Sequence, residues 1–196
     1  MDTQLVTALT LFAFVNSVTP GPNNLMLLAS GVNHGFRATL PHMMGISVGV
    51  FVLLASVGLG LGLLFERVPQ LYLVLKWLGV AYLLYLAWCV ATAEAPQDAA
   101  ASRPIGFWGA AGFQWVNPKA WVMAVGAFSN YGPAHSSGAV VLGTATLFAV
   151  VNLPTISLWA LFGSRLRHGL RIPRYRRIFN SVMAVLLVAS LAPMLA

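Results

Sequence analysis

Acidic residues are nearly missing from this chain: among 196 residues there are four, Asp2, Glu66, Glu94 and Asp98, and none lies inside a long apolar stretch. Without a carboxylate in an apolar segment there is no carboxylate proton relay, no oxygen cage for a divalent cation and no aspartyl membrane protease. Charge of either sign is scarce as well. Charged residues make up 8% of the chain, against roughly 25% in a soluble domain, so this surface could not be kept in water. The single cysteine, Cys89, cannot form an internal disulfide and reads as a small buried apolar residue. No His/Cys cluster is spaced for zinc and no Gly-rich phosphate loop for ATP, so neither metal nor cofactor is expected. Soluble enzymes, disulfide scaffolds and disordered tails are excluded.

What is present is hydrocarbon. Hydrophobic residues are 59% of the chain, and mean hydropathy is +0.81. No Asp, Glu, Lys or Arg occurs in 3–36, 38–65, 77–93, 104–118, 120–164 or 178–196. A membrane-spanning helix needs about 20 apolar residues. Punctuation by Gly, Pro and charge then predicts six spans, at 5–29, 40–64, 71–91, 107–128, 138–162 and 178–195. In lipid every backbone polar group must be satisfied internally, and the stretches are too long for barrel strands, so the expected fold is an all-α, six-helix membrane domain occupying 1–196.

Basic residues orient it. The connections after spans one, three and five carry eight, namely Arg37, Arg103 and six arginines between Arg165 and Arg177, while the opposite side has only Arg67 and Lys76. The positive-inside bias puts both termini outside the cytoplasm. This placement also accounts for the net charge of +7 without any nucleic acid. The N-terminus has no basic n-region or cleavage site, so the first span is expected to be retained.

Two segments interrupt the helices. Thr19-Pro20-Gly21-Pro22-Asn23-Asn24 lies midway along span one, where the prolines free the carbonyls of Asn16 and Val18. Thr19 is the expected N-cap and Pro20 the first residue of a restarted helix. In span four, Gln114-Trp115-Val116-Asn117-Pro118-Lys119 repeats the device, with Asn117 as cap and the Gln114 carbonyl freed. A mid-span lysine costs about 2.5–3.5 kcal/mol on insertion scales. Lys119 is therefore read as functional, with a structural bond to the free carbonyls of a broken helix as the alternative. Asn152-Leu153-Pro154 in span five is a third expected break, as readily a kink as a site. Val18-Thr19-Pro20 aligns with Val116-Asn117-Pro118 98 residues later. Each unit has three spans, so halves at about 1–98 and 99–196 would form inverted repeats.

The candidate substrate site is thus Asn16, Thr19, Pro20, Gly21, Pro22, Asn23, Asn24, Gln114, Asn117, Pro118, Lys119 and Asn152. Lys119 and His42 are the proton-coupling candidates, His42 being read either as an interfacial residue or as a relay. Gly45-Ile46-Ser47-Val48-Gly49 is a small-xxx-small face, suited to close helix packing and only a weak sign of a homodimer.

These motifs, with His34-Gly35-Phe36-Arg37, Trp77-Leu78-Gly79-Val80-Ala81-Tyr82 and the pattern around Asn152, Trp159 and Gly163, resemble the LysE/RhtB superfamily of amino-acid exporters. The resemblance covers nearly the whole chain, in order, and is nearest to the branch that contains the cysteine/O-acetylserine exporters. It implies efflux of small amino acids or their derivatives across a bacterial inner membrane, driven by the proton gradient. Family members often carry acidic residues within the bundle; this chain has none there. The competing class is a non-transport membrane protein, either an assembly partner or an intramembrane enzyme. Helix breaks at one depth favour transport, because a packing subunit has no use for them.

Overall fold

The computed structural model describes residues 3–61, 68–93, 104–131, 137–170 and 172–192. Asp2, Glu66, Arg67, residues 94–103, residues 132–136 with His135, Arg171 and the last four residues lie outside the described residues. Among the described residues the chain is helical: α1 (Thr3–Val18), α2 (Pro22–His34), α3 (Phe36–Ser56) continued by a π turn (Val57–Leu61), α4 (Pro69–Ala91), α5 (Phe107–Phe113), α6 (Pro118–Tyr131), α7 (Gly138–Gly169) and α8 (Pro173–Ala189). Among the described residues three helices are long and apolar enough to cross a membrane, at Phe36–Leu61, Leu73–Ala91 and Gly138–Gly169. The α1–α2 pair makes a fourth if counted as one span bent by 54°.

Helix α7 is the hub, packing against α1, α2 and α3, while α4 lies mainly on α8 and α5 mainly on α3. The closest approaches are made by residues without side chains. A Cβ at Gly31 would run into the carbonyl of Ala160, and one at Gly163 into the carbonyl of Leu28, so α2 and α7 touch backbone to backbone. Gly45 and Gly49 do the same for α3 against α5, facing the carbonyls of Phe107 and Ala111. The glycines of the small-residue face on α3 are therefore used in packing inside the chain. Large apolar side chains such as Trp77, Trp88, Val122, Val150 and Val185 point outward, as hydrocarbon surroundings demand.

Three expectations are corrected here. Pro154 does not break its helix: α7 runs unbroken through it for 32 residues. One proline removes a single intrahelical bond, the one to Val150 O, and the helix on either side is long enough to carry through that loss. The helix also extends past 162 to Gly169, so Arg165 and Arg167 belong to its last turns rather than to a loop. Finally, Cys89 is exposed on α4 rather than buried.

Candidate functional site

The first break arises from two prolines one residue apart. Helix α1 keeps its ladder as far as the Thr19 amide, which donates to Val15 O at 3.1 Å. Pro20 has no amide, Gly21 is fully extended (φ 179°, ψ 176°), and α2 restarts at Pro22. The restart is thus two residues later than expected, and Thr19 is not the N-cap. Gly21 occupies that position and supplies no side-chain cap. The Thr19 hydroxyl instead donates backwards to Asn16 O at 3.1 Å. Leu25 N reaches Gly21 O, whereas the amides of Asn23 and Asn24, in the first turn of α2, have no backbone acceptor among the described residues. They make a positively polarised helix end.

The second break is built differently and agrees with expectation. Residues 114–116 form a turn after α5, and α6 begins at Pro118. Asn117 Oδ1 accepts from the Lys119 amide at 3.2 Å, so the side chain caps the helix.

The two breaks meet. Lys119 Nζ donates to Thr19 O at 2.7 Å, to Thr19 Oγ1 at 2.8 Å and to Pro20 O at 3.3 Å. Gly21 makes room for it: a Cβ there would lie 2.8 Å from Lys119 Cδ. Because Gly21 has an extended φ open to any residue, space is what fixes the glycine. Asn23 and Gln114 exchange two amide hydrogen bonds, at 2.9 and 3.2 Å, across the same seam. Asn24 Nδ2 donates to both Ser17 O and Thr19 O at 2.8 Å, holding the unravelled end of α1. Asn152 closes the third side. Its Nδ2 donates to Ser17 Oγ at 3.0 Å, and its Oδ1 accepts from Ser47 Oγ at 3.1 Å.

The carbonyls expected to be free are mostly taken. Asn16 O receives the Thr19 hydroxyl, Val18 O receives Trp159 Nε1 at 3.3 Å, and Gln114 O receives the Asn117 amide at 3.4 Å. A bilayer offers no water to satisfy them, so the fold recruits local donors. Ser17, Ser47 and Trp159 are the network members that pattern reading missed. A lone serine or tryptophan in a membrane helix carries no periodicity or charge to mark it.

Between the breaks lies a cavity of about 20 Å³, lined by Asn16, Ser17, Gly21, Asn23, Asn24, Asn117, Lys119 and Asn152 on its polar side and by Val50, Ala120, Met123 and Ile156 on its apolar side. That is room for a water molecule, not for an amino acid. Of the expected site residues, Gln114 joins through Asn23 and Thr19 through Lys119, while Pro20 is exposed and Pro22 buried at the start of α2. His42 is not among the lining residues. It is wholly buried in the second turn of α3, and neither ring nitrogen has a hydrogen-bond partner among the described residues. No group of three or more metal-ligating side chains occurs among the described residues.

The cavity is lined by neutral amides, the Ser17 hydroxyl and one ammonium, and lies between the two helix breaks. The family match agrees with that chemistry: the family described as LysE type translocator covers residues 14–192. The chain belongs to the LysE translocator family. It is 33% identical over 192 residues to the cysteine/O-acetylserine efflux protein of Salmonella choleraesuis (strain SC-B67), with 96% of each chain covered. It is 33% identical over 190 residues to that of Escherichia coli (strain K12), again with 96% of each covered. No solved structure matches. As a LysE-type translocator it is a membrane transporter and not an enzyme.

Proposed function

We propose that this translocator exports small neutral amino acids or their derivatives, of the cysteine, O-acetylserine, serine, threonine or homoserine type, across the bacterial inner membrane. The names of its relatives support the substrate class, and the site supports the charge rule. Lys119 and the open amides of Asn23 and Asn24 suit one carboxylate. The side-chain oxygens of Asn16 and Asn24, whose amide nitrogens are already committed, suit one ammonium. No carboxylate lines the cavity to offset a second positive charge, and Lys119 would repel it.

One observation carries this reading: the Lys119 ammonium rests on neutral acceptors only, two carbonyls and a hydroxyl. A substrate carboxylate is a stronger, charge-assisted acceptor. On binding, it draws Lys119 from the break and lets the small cavity widen. Lys119 and the buried His42 are the groups proposed to take up the coupled proton.

The proposed architecture has six spans. The α5–α6 pair, broken at 114–117, and α8 join the three long helices and the bent α1–α2 pair. Two halves would be related as inverted repeats, each with a helix restarting at proline beside the cavity, at Pro22 and Pro118. With the basic connections cytoplasmic, both termini lie outside.

The test is competition in reconstituted vesicles. Unlabelled cysteine, O-acetylserine, serine or threonine should inhibit efflux of a labelled neutral substrate, and lysine or arginine at equal concentration should not. Strong inhibition by the dibasic amino acids would overturn the charge rule.

A further inference from the structure

At the opposite end of α2 from the break, two arginines lie beside His34. Arg176 on α8 is 6% exposed, and its Nε and Nη1 have no hydrogen-bond partner among the described residues. Arg167, in the last turns of α7, lies over the α2–α3 connection, where its Nη1 would be 3.1 Å from a Cβ on Gly35. It is close enough for its charge to bear on both His34 and Arg176. One helical turn beyond Arg176, Asn180 pairs with Asn33 of α2 (3.1 and 3.4 Å) and donates to Ala93 O at 3.2 Å at the end of α4. The helix ends are therefore locked around the cations by neutral amides.

A buried guanidinium without a partner is costly, and a second arginine beside it adds repulsion. Two guanidiniums on neighbouring helix ends, one of them buried with free donors, are the kind of donor set that holds phosphate. We infer that Arg167 and Arg176, with His34, form a phosphate-binding site at the junction of α2, α7 and α8. The natural source for a membrane protein is an anionic lipid headgroup entering from the bilayer surface. With the phosphate bound, repulsion between the arginines becomes attraction, and the ends of α2 and α8 are held together. Helix α2 also carries Asn23 and Asn24, so the lipid bears on the helix that lines the cavity.

The experiment uses the full chain in neutral detergent and reads binding and thermal unfolding rather than transport, so its failure would leave the efflux reading intact. Phosphatidylglycerol, phosphatidylcholine and inorganic phosphate are compared as probes. Phosphatidylglycerol should raise the unfolding midpoint by several degrees over phosphatidylcholine and remain bound in native mass spectrometry. Both effects should be lost in Arg167→Gln and Arg176→Gln and kept in Arg37→Gln. A matching shift with inorganic phosphate would support the phosphate site while making a soluble anion its source. Should Arg176→Gln fail to fold, Arg167→Gln, at the half-buried Arg167, decides alone. Two results would overturn the proposal: no shift with either phosphate probe, or a shift that survives both substitutions.

Discussion

The two helix breaks use the same grammar, a proline opening a new helix in mid-bundle, yet only one stands unaided. At 114–118 the chain supplies its own cap: Asn117 holds the Lys119 amide, and the turn residues bond among themselves. At 19–22 the second proline and a bare glycine leave no side-chain cap, and the carbonyls of Thr19 and Pro20 turn to Lys119 of the other break. The self-contained break is thus the anchor and the dependent one the movable part. In hydrocarbon neither an ammonium nor a carbonyl is left unpaired without cost, so Lys119 can leave the first break only for another acceptor, while Asn24 keeps its bond to Thr19 O. That acceptor is the proposed substrate carboxylate.

The largest effect should come from removing the shared residue. Lys119→Met deletes the donor to two carbonyls and a hydroxyl at once. Efflux should fall below detection, with an inserted-protein signal near wild type. Stability should drop by about 1–3 kcal/mol for acceptors left unpaired. Lys119→Arg should keep insertion but lose most transport, because the planar fork is wider than an ammonium. Normal efflux by the Met variant would reduce Lys119 to a structural brace.

Next comes Gly21. Its extended backbone tolerates a side chain, so a substitution tests space alone. Gly21→Val puts methyl groups into the Lys119 stem, 2.8 Å away already at the Cβ. Efflux should fall at least about tenfold, the loss of some 1.4 kcal/mol of transition-state stabilisation. Gly21→Ala should lose less, since the lysine stem can bend. Equal activity of both variants would show that Lys119 does not need the break.

The caps separate the two breaks more finely. Asn117→Ala should cost about 1 kcal/mol, the usual value of a lost N-cap, and lower efflux several-fold. Thr19→Val should cost less. Lys119 keeps the backbone carbonyls of Thr19 and Pro20, and Asn16 O loses a single hydroxyl. Thermal unfolding of the two variants in one detergent measures the difference. If Thr19→Val were the more damaging, the first break would hold itself together and the asymmetry would be wrong.

How much of this was open to sequence reading follows from the physics of each signal. Charge scarcity and its gaps gave the apolar helices, because lipid forbids anything else over such lengths. Proline and asparagine marked both breaks, and a lysine in mid-span could hardly be idle. What sequence could not reach was pairing. Nothing local says that Lys119 finds Thr19, a hundred residues away, or that Asn23 finds Gln114. The first restart differs from the sequence pattern because Thr19-Pro20 reads as cap and first residue, while the second proline, Pro22, moves the start of α2 two residues on. Asn152 was placed in the site for the wrong reason, as part of a break that does not exist, when its true role is to bond Ser17 and Ser47.

That last point yields the smallest expected effect. Pro154 and Asn152 are two residues apart, and a broken helix would make both matter. In an unbroken α7, Pro154 faces outward while Asn152 is buried. Pro154→Ala restores one backbone amide to a helix already formed, so efflux should change less than about twofold and stability should hold or rise. Asn152→Ala leaves the hydroxyls of Ser17 and Ser47 without their partner, which should cost about 1–3 kcal/mol and lower efflux clearly. Measuring the pair side by side separates the amide from the proline. If Pro154→Ala abolished efflux while Asn152→Ala did not, the kink would be the working part of α7, and the polar network beside it would be only packing.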